Sequence, residues 1–395
     1  MALGFDQARE WVLSEVRPKE AIVIEEVSLL DAPGRVLAED ILADRDYPPF
    51  PRSARDGFAL RSADVPGELR VIGEARAGGS FDGSVGHGET VEIMTGAPLP
   101  HGADAIVMIE HVERTGDVIR VARGAEPGSN FTPRGLEGQV GQEVLTRGRR
   151  IDYTHIAAAA MVGMQTMMVC RRPRVAILPT GDEIVEPGTT PGAFEIRNSN
   201  AMSLAAQVRR AGGEPLILPI ARDHRESTRA MIEKGLEADL LLLSGGVSAG
   251  KYDIVEKVLS ELGAEFFFDR VLIQPGQPLV FGRAQGTHFF GLPGNPSSTM
   301  VTFELFARAA VDLLSGCKEA PLPLLRSRLT QPLRHKMGIT RFLPAQLSLD
   351  GSAVKPEPWH GSGDIPSLAR ANAFLVAEAD REEWAEGDDI RVMSK

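Results

Sequence analysis

The sequence predicts a multidomain α/β plus β protein built round one doubly wound parallel sheet. Two runs, Arg174 to Leu178 and Asp239 to Leu243, are almost continuously apolar, as strands buried on both faces are. Helical spacing over Ala201 to Arg210 and Glu226 to Gly235 separates them, which is the strand–helix alternation of a parallel sheet. On either side, after Tyr47 and again from Pro321, the texture changes to short β-rich runs punctuated by Gly, Pro and Asp.

In chain order, Phe5 to Val16 and Ser28 to Leu42 carry helical apolar spacing, the second through Leu29, Leu30, Val36, Leu37 and Ile41. Both read as packing helices. Leu69 to Gly73, Thr90 to Met94 and Ala105 to Ile109 are the strands of a small β domain that ends near Gly138. Asp152 to Met161 is a helix with Asp152 or Thr154 as its N-cap. Ala264 to Phe268, Leu279 to Phe281 and Thr287 to Phe290 complete the parallel sheet, and Asp389 to Met393 closes a small C-terminal β domain.

Composition narrows the function. The 395 residues hold 43 Lys plus Arg against 54 Asp plus Glu, a formal charge of -11, without the basic footprint of a nucleic-acid binder. The run Arg147 to Arg150 is too short to change that and reads as a solvated loop face. Cys170 and Cys317 stand far apart in sequence and outside any Cys-x-x-Cys pair, so both are expected to be reduced and structural. The first residues lack the apolar core of a signal peptide and no window approaches a membrane span, so a cytoplasmic location with no membrane partner is expected.

Three strands of the α/β region end in loops of Gly and polar residues: Thr180-Gly181-Asp182-Glu183, Ser244-Gly245-Gly246-Val247-Ser248, and Gly291-Leu292-Pro293-Gly294-Asn295-Pro296. Ligands of open α/β sheets bind at the carboxyl ends of strands, where glycine lets the backbone approach a phosphate. One such loop is an ordinary tight turn; three in one sheet point to a site. Asn295 suits a helix cap and Pro296 the first helical position before Thr299 to Leu314, which would leave backbone amides for an anion. Glu183, Asp223 and Asp253 add carboxylates at this edge, and beside phosphates they call for a hard cation such as Mg²⁺. The run Gly245 to Lys251 is not a P-loop, because Tyr252 stands where Ser or Thr would hold Mg²⁺.

Taken in order, further motifs run through nearly the whole chain: Pro48-Pro49-Phe50, Ser53-Ala54-Arg55-Asp56-Gly57-Phe58-Ala59, Met94-Thr95-Gly96-Ala97-Pro98 and Gly361-Ser362. With the three loops, they make the sequence resemble the molybdopterin molybdenumtransferases, the MoeA proteins and the E domain of gephyrin. The resemblance implies insertion of molybdenum from molybdate into adenylyl-molybdopterin, with release of AMP and dependence on Mg²⁺. It implies a homodimer with an elongated linker or dimerisation domain (1–26 and 139–173, with 27–46), a small β domain (47–138), a MogA-like α/β domain (174–317) and a C-terminal β-barrel domain (318–395). The molybdopterin adenylyltransferase and apo-molybdoenzymes are the implied protein partners. Asp56 and Thr95 would come from the β-domain side of the site, Glu183, Asp223 and Asp253 would serve metal and substrate, and Thr180, Gly181, Asp182, Ser244, Gly245, Gly246, Ser248, Gly291, Pro293, Gly294, Asn295 and Pro296 would hold nucleotide and pterin.

The chain departs from the family in its expected oxyanion pocket. A Lys-Pro-Gly-Lys-Pro segment is replaced by Gln274-Pro275-Gly276-Gln277-Pro278, which removes two cations. Ile339 stands where an arginine is expected, with Arg341 close enough to substitute and Ser362 completing the set. An Arg-x-x-Gly-Glu-Asp stretch is altered to Thr132-Pro133-Arg134-Gly135-Leu136-Glu137. Molybdate against tungstate or another oxyanion is therefore open, as is a gephyrin-like scaffold role.

Overall fold

The computed structural model describes residues 2–245 and 254–395. At its centre lies a six-stranded sheet in the order Glu214–Ile217, Arg174–Pro179, Leu240–Ser244, Thr287–Leu292, Val280–Ala284, Glu265–Phe268. Side chains alternate between its two faces. Val175, Ile177, Leu240 and Leu242 pack with the helices Phe5–Glu15, Ser199–Arg210 and the run from Pro296 to Leu314. Ala176, Leu178, Leu241 and Leu243 pack instead with Arg225–Gly235 and Ile254–Glu261. Every residue of Leu240–Ser244, and all but the first of Arg174–Pro179, is thus buried, which explains their nearly unbroken apolar sequence.

Only the first four strands are parallel. The expected all-parallel sheet is corrected at its far side, where Val280–Ala284 runs antiparallel to both neighbours. Gln285 and Gly286 both have positive φ, 51° and 83°, the two-residue turn that folds a hairpin back on itself.

His288 sits within this hairpin, 2 % exposed and stacked on Phe281. Burial first, then Arg283, push its pKa down to about 4. An unfolded histidine titrates near about 6.5. Between those values the unfolded chain takes up a proton that the folded chain refuses, so stability falls as pH falls from about 6.5 to about 4. His288→Leu should flatten urea-unfolding stability across that window; an unchanged slope would remove His288 as its source.

The helix Phe5–Glu15 packs into the central core through Phe5, whose ring meets Phe306 at 5.8 Å and Phe342 at 5.3 Å. The helix expected over Ser28 to Leu42 does not form. Ile24–Ser28 is a strand paired with Thr166–Cys170, and turns follow until the short strand Ile41–Leu42. Pro33-Gly34 interrupts the apolar spacing in mid-run, and Leu30, an intended core residue, is 87 % exposed. Tyr153–Met161 is helical, with Asp152 accepting from Thr154 N and His155 N. Arg150 is no solvated-face residue, since it donates to Gly34 O and Asp312 Oδ1, both at 2.7 Å, and ties this segment to the central core.

The small β sheet has the order Ala105–Met108, Gly57–Leu60, Glu89–Ile93, Gly67–Ala75, Val118–Val121, Val112–Thr115. The C-terminal strands close on themselves. Thr340–Leu347 pairs with both Ala353–Pro356 and Ala373–Ala377, and Leu324–Leu329 and Asp389–Ser394 complete the ring. Ile273–Gln274 leaves the central unit and adds to this barrel in parallel, setting Gln274 opposite Arg341. Among the described residues, no helix is long and apolar enough to cross a membrane.

Candidate functional site

The carboxyl ends of Arg174–Pro179, Leu240–Ser244 and Thr287–Leu292 open onto a cleft of about 520 Å³. Thr180, Gly181, Glu183, Asp223, Ser244, Gly245, Pro293, Gly294, Asn295 and Pro296 line it. Most of the three predicted loops therefore converge. Gly181 has φ 138°, and a Cβ there would lie 2.6 Å from Glu183 Oε2, so only glycine lets the Glu183 carboxylate fold over this turn.

Two expected members fall elsewhere. Gly291 is an in-strand residue buried in the sheet, paired with Leu243 and Val280, because the strand continues to Leu292 before the loop begins. Asp182 does not line the cleft; its Oδ1 accepts from Asp223 N at 3.0 Å and fixes the neighbouring loop. Gly246, Ser248 and Asp253 lie outside the described residues.

The sequence reading missed the opposite wall, formed by Ile184, Ile196, Arg197, Asn198, Ser199 and Asn200. Asn198 caps the helix Ser199–Arg210 by accepting from Ala201 N. Asn200 Nδ2 donates to Ser244 Oγ at 3.0 Å and Gly294 O at 2.8 Å, linking two of the loops. Among the described residues, Asn200 Oδ1 and Thr180 Oγ1 are buried without a protein partner. Such atoms are costly unless a ligand or water meets them. The Asn-Ser-Asn triplet before an apolar-periodic run was a visible cap signal.

Arg222 is a second missed residue. Its guanidinium donates to Asp182 O at 2.9 Å and Ile184 O at 3.1 Å, holding the loop that carries Glu183. Arg222→Met should raise hydrogen exchange of the amides at 182–185 about tenfold, the size of one lost hydrogen bond to a charged group. Exchange equal to wild type would show that the loop holds its shape without it.

A second cleft, of about 650 Å³, adjoins the first and shares Pro278, Asn295 and Ser298 with it. Gln274, Gln277, Arg341 and Ser362 line it together. Arg341 is half-buried, which lowers its pKa, and among the described residues its Nε has no partner. The helix beginning at Pro296 was expected to leave its first amides for an anion, but one of them is taken within the protein: Ser297 N donates to Ser362 O at 3.0 Å. Nor does the Asn295 side chain cap that helix.

Asp56 and Thr95 meet each other in the small β unit and line neither cleft. Asp56 Oδ1 accepts from Thr95 N at 2.7 Å and Thr95 Oγ1 at 2.9 Å. The backbone bond first, then the hydroxyl, hold the carboxyl below its ordinary pKa. Glu183 and Asp223 bring an oxygen-only donor set to the first cleft, the type a hard cation takes. Among the described residues, no three His, Cys, Asp or Glu gather as a metal group.

An α/β sheet with a cleft at its strand ends, joined to a closed barrel that adds an adjoining polar pocket, defines a multidomain α/β plus β protein with a two-part ligand-binding site. Three family models cover the chain: the MoeA N-terminal region (domain I and II) at residues 3–163, a probable molybdopterin binding domain at 176–313, and the MoeA C-terminal region (domain IV) at 326–395. A molybdopterin molybdenumtransferase of Staphylococcus aureus is 33 % identical over 360 residues, 89 % of this chain and 86 % of its own. One of Staphylococcus epidermidis is 32 % identical over 377 residues, covering 93 % and 90 %. The crystal structure of a molybdopterin biosynthesis MoeA protein from Pyrococcus horikoshii superposes with a TM-score of 0.84 at 28 % identity, covering all of both chains. The chain belongs to the molybdopterin molybdenumtransferase family, and its place is in molybdenum cofactor biosynthesis as a transferase.

Proposed function

We propose that this protein inserts molybdenum from molybdate into adenylyl-molybdopterin, releasing AMP. The observation that carries the reading is the pair of adjoining clefts, one at the phosphate-accepting strand ends and one lined by Arg341, Gln274, Gln277 and Ser362, with Asn295 common to both. The first cleft suits the nucleotide and pterin phosphates, whose anhydride bond is cleaved. Buried Asn200 and Thr180 oxygens accept hydrogen bonds from that ligand, and loop amides donate to its phosphates. Glu183 and Asp223 are the described residues that would hold Mg²⁺, which neutralises charge on the phosphate oxygens when bound.

Asp56 is held ionised by Thr95, so it serves better as a fixed acceptor that orients an attacking oxygen than as a base titrating near neutrality. Its position outside both clefts of its own chain supports a homodimer in which a second copy supplies Asp56 and Thr95. The cytoplasm, with a molybdopterin adenylyltransferase upstream and apo-molybdoenzymes downstream, is the setting this reaction implies. The two glutamines favour a second reading, a paralogue that handles tungstate or another oxyanion.

The test combines purified protein, adenylyl-molybdopterin, Mg²⁺ and either molybdate or tungstate. AMP release and activation of a cofactor-free molybdoenzyme with molybdate support the first reading. Activity with tungstate alone supports the second, and neither product would leave a scaffold.

A further inference from the structure

Asn295 stands where a helix N-cap is expected, yet its amide turns away from the helix. Its Nδ2 donates to Ser362 Oγ, on the C-terminal loop, at 2.7 Å. Ser362 is anchored a second time, because its carbonyl accepts from Ser297 N at 3.0 Å and Ser297 Oγ at 2.7 Å. A serine hydroxyl has one hydrogen to give and lone pairs to receive with. Receiving from Asn295 leaves the Ser362 O–H as a donor, and among the described residues nothing accepts it. Ser362 lines the second cleft, which the half-buried Arg341 also lines.

Asn295 also lines the first cleft, and the carbonyl of the preceding Gly294 is held by Asn200, which holds Ser244 in turn. A continuous run of hydrogen bonds and backbone therefore leads from the strand ends of the first cleft to the hydroxyl of the second. We propose that Asn295 is a positioning residue coupling the two clefts: it directs the Ser362 O–H at an oxyanion, and nucleotide bound beside Gly294 alters that aim. The inference rests on the oxyanion reading of the second cleft. With glutamine at 274 and 277, a directed neutral donor matters more than it would beside two lysines.

Calorimetric titration of the full chain with molybdate tests it, using wild type, Asn295→Ala, Ser362→Ala and the double variant, each with and without saturating AMP. Each single variant should weaken molybdate binding about tenfold, as loss of one hydrogen bond to a charged group does. The double variant should bind no worse than Ser362→Ala, because the amide acts through that hydroxyl. AMP should shift molybdate affinity in wild type and not in Asn295→Ala. Additive losses, or an AMP effect that survives in Asn295→Ala, overturn the coupling while leaving the cleft's reading intact. Failure of the wild-type chain to bind molybdate overturns that reading and the coupling with it.

Discussion

Asp56→Asn should lower AMP release from adenylyl-molybdopterin by about 10²-fold or more, the scale of losing one positioned group in acid–base or electrostatic catalysis. The substitution is nearly isosteric, and the two bonds from Thr95 can still reach the amide oxygen, so the fold and whatever assembly the wild type forms should persist. What disappears is the fixed negative charge. Because Thr95 holds the Asp56 carboxyl below its ordinary pKa, the wild-type rate should show no rise attributable to Asp56 between neutral and mildly acid pH. Light scattering would establish the assembly state, and AMP release the rate. Full turnover by a folded Asp56→Asn variant in the wild-type assembly state removes this residue from the proposed site.

The second large effect concerns Arg341, the only arginine or lysine among the described residues lining the second cleft. Arg341→Ala should weaken molybdate binding about 10²-fold, since a partly desolvated cation whose Nε has no partner among the described residues has most to gain from an anion. Gln274→Lys with Gln277→Lys should act in the opposite direction, tightening binding about tenfold for each charge restored. The gain should shrink as salt rises, because the cleft is open to solvent and its charges are screened. Isotherms unchanged in both experiments would mean that the oxyanion binds elsewhere.

Much of the central unit was legible in the sequence. Three of the four parallel strands, the helices at 201–210, 226–235 and 299–314, and the convergence of Thr180, Gly181, Glu183, Ser244, Gly245 and Gly294 follow from local patterns of apolar runs, helical periodicity and glycine at strand ends, whereas the edge strand Glu214–Ile217, half of it exposed or interrupted by Pro215, carried no such apolar run. Two local signals were misread. Counting apolar spacing over Ser28 to Leu42 passed over Pro33-Gly34, and the Gln285-Gly286 turn was overlooked where it reverses the chain. Asn198 and Asn200 were likewise visible as a cap triplet but were not connected with the cleft.

By itself, then, the sequence determined the strand–helix core, the strand-end loops and the family, because each depends on residues near one another in the chain. The family resemblance had named Gln274, Gln277, Arg341 and Ser362 together, but tertiary structure alone decided how they are brought into one cleft and how that cleft joins the first. Ile273–Gln274 joins Thr340–Arg341 only because Ala353–Pro356 covers that side of Thr340–Leu347 from Ala345 onward and leaves its first residues an open edge, and Ser362 reaches Asn295 only because the loop at 361–364 docks on the helix that starts at Pro296. Such pairings bring together residues distant in sequence. Burial, barrel closure and hydrogen-bond satisfaction over the whole molecule select them, and no local propensity encodes them.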